Sequence, residues 1–269
     1  MKKALKILAA AVSMSLAVLT PASAAPEEET VSNAYLHLDG AMDEWAAAPA
    51  LRLPSSYHGG HLDSWNNSVI YDDALVIIAY ANRKDNADSL ERAKNMGDAF
   101  LQMQAKDPIG DGRVRNSYGP ENLFDADGVP NILSTGTAAG NQAWAGMALA
   151  HLAHVTKDAK YRDGALRVGE WLLRETSDSR GTGGFTAGYG ANGEKMAWNS
   201  TEHNIDMVGL FEMLHQLTND DKWSKACEQA REFVKSMWDE KEGRFHIGTE
   251  SDGVTINRDE YVPEDVQSW

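Results

Sequence analysis

The stretch from Ala143 to Val155, AWAGMALAHLAHV, is apolar on nearly every face of a helix, and an amphipathic stretch follows it after a five-residue link. In that second stretch the apolar side chains form one stripe, consisting of Tyr161, Ala165, Val168, Trp171 and Leu172. A helix that is apolar all round is buried on all sides, whereas a helix with one apolar stripe lies on an outer layer. The two stretches therefore predict a helical hairpin with one inner and one outer member.

The same alternation recurs along the chain, which predicts an all-α fold of repeated hairpins. The inner helices are expected to begin near Asp72, Gln142 and Glu202, with a further start at Asp265. These starts give a repeat of roughly 60 to 70 residues, and such repeats bury their apolar faces against their neighbours. The apolar inner stretches and their amphipathic partners are 74–81 with 89–104, 143–155 with 161–173, and 205–217 with 223–237.

The links between the predicted helices differ in length and composition. Inner-to-outer links are short, whereas the outer-to-inner segments 106–140, 176–199 and 239–263 are long and rich in Gly, Asn and aromatic residues. Function concentrates on long, decorated loops that a rigid scaffold positions. We therefore expect the functional face at the N-termini of the inner helices.

The N-terminus has the pattern of a secretory signal peptide over residues 1–24. Lys2, Lys3 and Lys6 precede an apolar run from Ile7 to Leu19, and Ala22-Ser23-Ala24 is a small-residue cleavage site. The alternative is a membrane anchor, but the run is shorter than the ~20 apolar residues that span a bilayer. We predict an exported protein, secreted or periplasmic, with no membrane contact after signal cleavage.

The mature chain is predicted to have an N-terminal arm at 25–64 and a helical-hairpin domain at 65–269. Within the arm, Tyr35 to Gly40 is expected to form a short strand. The formal charge is -15, and loss of the signal lysines would make it -18, which argues against nucleic acid as a partner. The single cysteine, Cys227, excludes an intrachain disulfide.

Four short motifs, together with this layout, resemble the six-hairpin (α/α) toroid glycosidases. They are Tyr71-Asp72-Asp73, Gly183-Gly184-Phe185, Trp198 and the stretch from Ser200 to Asn204, and the resemblance covers about residues 65 to 269. It implies an inner ring of helices wrapped by an outer ring, with a carbohydrate groove at the inner N-termini. The toroid also hosts polysaccharide lyases and sugar epimerases, so the fold alone does not determine the reaction.

The hairpin count departs from that pattern. The sequence predicts an incomplete toroid, with about three and a half of six hairpins, because the last residues resemble only the first turn of a fourth inner helix. We expect the chain to be part of a longer enzyme. The alternative is an open arc of three hairpins.

Hydrolysis of a glycosidic bond normally needs two carboxyl groups, one as acid and one as base or nucleophile. Glu202 lies in the first turn of an apolar helix beside Trp198, and we expect it to be the general acid. The alternative is a carboxylate that only stabilises the helix dipole, with Ser200 or Thr201 as N-cap. Asp206 follows on the same face, where its charge would favour a proton on one of the pair.

Asp72 and Asp73 are the second pair of catalytic candidates. One of them is expected to be the N-cap of the first inner helix, which leaves the other for a role in the groove. Asp265 occupies the corresponding place at the fourth inner start, where an N-cap is the alternative reading.

The polar and aromatic neighbours of these carboxylates are the expected substrate ligands. Flat apolar rings suit the faces of sugar rings. The predicted substrate-binding residues are His203, Asn204, Trp198, Tyr189, Trp144 and Asn141. For Trp144 the alternative is a place in the core.

The sequence therefore predicts an enzyme that hydrolyses a polysaccharide or oligosaccharide without a metal or cofactor. A lyase is the nearest rival and would use His203 or Tyr189 as base, with Asn204 neutralising a uronate carboxylate. A non-catalytic glycan-binding or scaffold protein is the alternative from another class.

Overall fold

The computed structural model describes residues 28–45, 50–62, 65–83, 86–258 and 261–268. The predicted signal peptide lies outside these residues. The chain divides into two compact units, residues 1–37 and 38–269. Of the first unit, residues 28–37 are described, and they are helical.

The described residues form eight α-helices, as the alternating apolar patterns predict for the hairpins. Helix α1 spans Glu28–Met42, so the predicted strand from Tyr35 to Gly40 is wrong. The other bounds are α2 Ile70–Asn82, α3 Ala87–Lys106, α4 Ala139–Thr156, α5 Ala159–Thr176, α6 Thr201–Thr218, α7 Asp221–Ser236 and α8 Glu264–Ser268.

Helices α2, α4 and α6 are the inner members and pack against each other in chain order, while α3, α5 and α7 lie outside them. Short strands connect the long loops at the inner N-termini, in two three-stranded sheets, β1-β2-β3 and β4-β5-β6, and one two-stranded sheet. Their bounds are β1 Ser68–Val69, β2 Ser117–Tyr118, β3 Ile132–Ser134, β4 Thr137–Ala138, β5 Gly188–Tyr189, β6 Lys195–Met196, β7 Trp238–Asp239 and β8 Arg244–Phe245.

Each outer helix begins with the same kind of N-cap. A short link from the inner helix is therefore enough to start it. The side chains of Asn86, Asp158 and Asp220 each accept a hydrogen bond from the backbone N–H two residues on. This satisfies one of the free N–H groups at a helix start. Two of the links also reverse direction through left-handed residues, Lys157 at φ 60° and Asn219 at φ 56°.

Glycine allows the inner helices to approach each other closely. A Cβ on Gly146 of α4 would lie 2.7 Å from Cδ1 of Leu210 on α6. Both positions are inside the helical core, where density is already that of a close-packed solid. Gly146 therefore sets the spacing between the second and third inner helices.

A repeated side-chain amide anchors each long loop to the inner helix that follows it. Gln142 accepts a hydrogen bond from the N–H of Val114 and donates one to its C=O. Asn204 makes the same pair of bonds with Phe185, at 3.0 Å each. Both amides are the fourth residue of their helices, α4 and α6, and both are fully buried. We call this arrangement the amide clamp.

The clamp recurs at the last described helix. Gln267, the fourth residue of α8, bonds both the N–H and the C=O of Phe245 at 2.9 Å. The first turn of the fourth inner helix therefore forms and docks beside α6, in the register of the earlier repeats.

Asp73 is the fourth residue of α2 and so occupies the clamp position of the first hairpin. Its exposure is 1%, and its Oδ2 accepts a 2.6 Å hydrogen bond from Ser68 Oγ. Helix α2 begins at Ile70 with Val69 as N-cap, so neither Asp72 nor Asp73 caps it, contrary to the sequence prediction.

Residues 38–45 and 50–62, within the predicted arm, lie against the first hairpin. Tyr80 Oη donates to Asp39 at 2.9 Å, and the Arg92 guanidinium pairs with Asp43 at 2.7 Å. Met42 and Leu53 are each 1% exposed, so this segment contributes to the core.

Replacing Asn204 with Ala should lower the free energy of unfolding by about 3 kcal/mol. The change removes the bonds to Phe185 and a third to the carbonyl of Ser200, and each buried group left unpaired costs about 1–3 kcal/mol. Denaturant unfolding measures the loss. Asn192→Ala is the control, because that amide is exposed and we expect a change within about 0.5 kcal/mol. Equal losses in the two variants would mean that the clamp does not stabilise the fold.

Candidate active site

At their N-terminal ends, the inner helices present their second and sixth residues to a common face. In register, the second residues are Tyr71, Gly140, Glu202 and Asp265, and the sixth residues include Trp144 and Asp206. Positions two and six are four residues apart, so they share a helix face. Electrostatic interactions join Tyr71, Trp144, Glu202, Asp206 and Asp265, and we call these five residues the carboxyl cluster.

Asp206 is the most deeply buried carboxyl of the cluster, with 3% exposure. Burial, together with the negative charges of Glu202 and Asp265, raises its pKa to about 8. The indole of Trp144 opposes this rise by favouring the ionised form. At neutral pH the folded protein therefore holds a proton on Asp206, although the titration belongs to the Glu202–Asp206 pair.

Glu202 is the half-buried, more accessible member of that pair. Desolvation raises its pKa, and so does the negative charge of Asp265. A carboxyl with a raised pKa that still reaches solvent suits a general acid, which must hold a proton near neutral pH. The N-cap of this helix is Ser200, one of the two caps expected from the sequence, and its Oγ accepts from the backbone N–H of His203, while Glu202 lies in the first turn.

Tyr71 closes the side of the cluster formed by the first hairpin. Its ring lies 5.2 Å from that of Trp144, with the planes inclined at 49°. Burial raises the pKa of its hydroxyl well above the usual range, and the charges of Asp206, Glu202 and Asp265 add to the effect. In the sequence, Tyr71 is marked only by its place in the Tyr71-Asp72-Asp73 motif. The register of the second helix position is the signal that would have selected it.

His203 and Gly140 form the back of the site. A Cβ on Gly140 would lie 2.6 Å from Cδ2 of His203 and 3.0 Å from Oδ2 of Asp206, so only glycine fits here without displacement. Burial lowers the pKa of His203 to about 4, which keeps its imidazole neutral at physiological pH. Its ring centroid lies 6.0 Å from that of Trp198.

The structure does not bring Asp72 and Asp73 into the carboxyl cluster. Burial raises the pKa of Asp73 well above its usual range, with Asp72 adding to the rise and Ser68 opposing it. Asp73 lies in the clamp position under β1 and Asp72 is half-buried next to it. Asp265 instead comes from the fourth inner start to face Glu202.

Three predicted ligands have their polar groups engaged by the protein. Asn204 is the buried clamp of α6. The Tyr189 hydroxyl donates to Glu175 at 2.9 Å, and the Arg113 guanidinium lies 5.2 Å above its ring. Asn141 donates to the side-chain oxygen of Asn116 at 3.2 Å. These residues support the loops around the site, whereas Trp144 is half-buried at its centre rather than in the core.

Trp198 lines a cavity of about 280 Å³ next to the start of α6. Its side chain is half-buried, and its ring plane and that of His203 are inclined at 34°. The predicted role in substrate binding therefore stays a prediction for a residue that borders open space.

Within the described ranges, there is no group of three or more His, Cys, Asp or Glu side chains that could hold a metal ion. No helix in this part of the chain is long and apolar enough to cross a bilayer.

Solved structures similar to this chain include carbohydrate-active enzymes of the (α/α) toroid class. A GH76 α-mannanase from Bacteroides thetaiotaomicron matches with a TM-score of 0.60 and 14% identity, over 81% of this chain and 58% of that one. A D-mannose isomerase matches at 0.63 and 17% identity, over 84% and 59%. The cellobiose 2-epimerase of Spirochaeta thermophila matches at 0.61 and 16% identity, over 85% and 59%.

These likenesses show that the chain has the (α/α) toroid fold, as its sequence pattern predicts. It spans less than two thirds of the length of each of these three structures, in agreement with the three complete hairpins among its described residues. No protein-family model and no curated protein sequence matches the chain.

Replacing Asp206 with Asn should make stability less dependent on pH. The folded protein binds the Asp206 proton more tightly than the unfolded chain, because the pKa rises from 3.8 to about 8 on folding. This contribution is largest at low pH and is lost as pH rises toward 8, at roughly 1.4 kcal/mol per pH unit. The variant should therefore lose roughly 4 kcal/mol less than the wild type between pH 5 and 8.

Chemical denaturation at several pH values tests this expectation. Asp221→Asn removes an exposed carboxylate from the first turn of α7 and should leave the pH dependence unchanged. Parallel curves for the wild type and Asp206→Asn would exclude a raised pKa for Asp206.

Proposed function

We propose that this chain is a glycoside hydrolase domain that cleaves a neutral polysaccharide or oligosaccharide by acid/base catalysis. One observation carries the proposal: Glu202 and Asp206 from the third inner helix and Asp265 from the fourth interact at one helix-terminal face with Tyr71 and Trp144. Paired carboxyl groups beside flat aromatic rings are what glycosidic hydrolysis requires.

In this proposal Glu202 is the general acid. It is accessible, and a saccharide that displaces water from the groove would desolvate it further, which favours the protonated form. The proton passes from the Glu202 carboxyl to the leaving glycosidic oxygen. Asp265 is the facing carboxylate, and it activates water or attacks the anomeric carbon.

Asp206 has a supporting role. Because Asp206 is protonated near neutral pH, it adds little negative charge next to Glu202. It therefore does not oppose the negative charge that develops on the departing glycosidic oxygen. The neutral His203 likewise adds no charge at the back of the site. Because Asp206 and His203 are both uncharged near neutral pH, neither adds an ionised group beside Glu202 when Glu202 gains or loses its proton.

The charge of the site supports a hydrolase over a lyase. The residues that influence Glu202 and Asp206 are carboxylates and an indole, whereas a lyase needs donors that neutralise a uronate carboxylate. The formal charge of -15 also disfavours a polyanionic substrate. We further propose that the protein is exported by the signal peptide predicted at residues 1–24.

A sugar isomerase or epimerase is a second candidate, favoured by His203. A neutral imidazole has a ring nitrogen whose lone pair can accept a proton, and Nδ1 of His203 has no hydrogen-bond partner among the described residues. Such an enzyme would interconvert free sugars and release no new reducing ends. Two of the similar structures are described as enzymes of these kinds.

Glu202→Gln should lower kcat/KM by about 10²-fold or more, because the amide cannot donate the proton. Asp265→Asn should cause a similar loss, whereas Asp206→Asn should keep activity within about tenfold, since Asn imitates a protonated Asp. We measure the reducing ends released from mannan, cellulose oligomers and starch. We also measure the ultraviolet absorbance of unsaturated uronates from pectate, and the interconversion of free sugars.

Glu212→Gln is the matched control, because Glu212 is an exposed carboxylate on the same helix. Full activity of Glu202→Gln would contradict the assignment of the acid. If Asp206→Asn is inactive while Glu202→Gln is active, Asp206 is the acid instead. Unsaturated products would indicate a lyase, interconversion without cleavage an isomerase, and binding without any product a glycan-binding module.

A further inference from the structure

The cavity beside Trp198 has a floor and a wall of different chemistry. We call Trp198 the floor and the segment from Gly248 to Asn257 the wall; of this segment, Gly248 to Ser251 and Asn257 line the cavity. Thr249 and Glu250 from the wall also line the cavity, so an aromatic residue and polar residues border the same space. Binding sites for single sugar units need this combination, since a pyranose has apolar C–H faces and a rim of hydroxyl groups.

The wall is a rigid hairpin. Thr249 pairs with Ile256, and the backbone of Glu250 donates to Thr255 at 2.7 Å. Asp252 closes the turn by accepting bonds from the backbone N–H groups of Val254 and Thr255. A wall that is already ordered loses little entropy when a ligand binds.

Two attachments fix this hairpin to the start of α6. Thr249 donates from its backbone to the carbonyl of Asn199 at 2.9 Å, and its Oγ1 accepts from the Asn199 N–H at 3.0 Å. From the other side, Arg180 donates to the carbonyl of Ser251 at 3.1 Å while Asp178 holds its guanidinium. The wall therefore keeps a set position relative to Trp198 and to the helix that carries Glu202.

We infer that this cavity is a subsite for one neutral sugar unit of the glycan whose bond is cleaved beside Glu202. Trp198 stacks on the sugar ring, and the Glu250 carboxylate accepts hydrogen bonds from its hydroxyl groups. The same carboxylate repels a uronate, so the subsite selects uncharged units. This inference rests on the proposed function for the identity of the neighbouring site, but binding can be measured without turnover.

The experiment uses the full chain carrying Glu202→Gln, so that ligands bind without being cleaved. Isothermal titration with mannotriose and cellotriose as neutral probes, and trigalacturonate as the acidic probe, is performed at about 0.15 M salt, where distant charges are screened. At least one neutral probe should bind. Adding Trp198→Ala should weaken its binding about tenfold or more, while Trp198→Phe should keep it within about threefold because a ring remains.

Two further variants separate stacking and charge from folding effects. Trp238→Ala is the matched control, since Trp238 is an exposed indole that does not line the cavity, and binding should be unchanged. Glu250→Gln should improve the affinity for trigalacturonate relative to the neutral probe by about tenfold. Thermal melting verifies that each variant is folded.

The inference is overturned if no neutral probe binds at millimolar concentration, or if Trp198→Ala and Trp238→Ala bind the probe equally. An unchanged preference in Glu250→Gln overturns the selection by charge. If Trp198-dependent binding is found but the wild type hydrolyses nothing, the proposed function fails and the subsite stands. If the wild type hydrolyses a glycan and Trp198→Ala does so with an unchanged KM, the subsite fails and the hydrolase stands.

Discussion

The amide clamp is the interaction on which the functional face depends. Gln142, Asn204 and Gln267 each satisfy both backbone groups of one loop residue from the fourth position of an inner helix. A buried backbone N–H or C=O group that has no hydrogen-bond partner lowers stability. The clamps supply partners where the long loops cross the ends of the inner helices, so the loops avoid this penalty there. The clamp faces away from positions two and six, which leaves those positions free to carry chemistry.

Clustering the carboxyl groups opposes the stability of the fold, while it supplies the acid and the base of the proposed function. Asp206 is buried beside Glu202 and Asp265, and it avoids the cost of an isolated buried charge by keeping its proton. Gly140 makes room for this arrangement, because a side chain there would collide with His203 and Asp206. The packing of the inner helices therefore holds the carboxyl cluster together, which α6 alone would not do.

The sequence was sufficient for the hairpins and for part of the site. Apolar and amphipathic patterns repeat with the helical period, so α2 to α7 and the face with the long loops could be predicted, and the resemblance suggested the toroid. Glu202, Asp206 and Trp144 are in the predicted region. Asp72 and Asp73 were chosen as catalytic candidates because two acids near a helix start suggest a cap and a free carboxylate. The helix begins at Ile70, however, which turns Asp73 inward to Ser68 and gives the groove position to Tyr71.

The sequence by itself determined the class of fold, the alternation of inner and outer helices, and the end of the helices where the polar residues gather. These follow from periodicity and composition, which are local properties of the chain. Only the tertiary structure decided which of those polar residues face one another. Whether a carboxyl lies in the cluster or in the clamp depends on whether it is the second or sixth residue of its helix or the fourth. It also depends on loops more than 15 residues away in sequence, as with Asn204 and Phe185. Burial and charge coupling then set the protonation of Asp206 and His203, because both depend on the distances between groups from different hairpins.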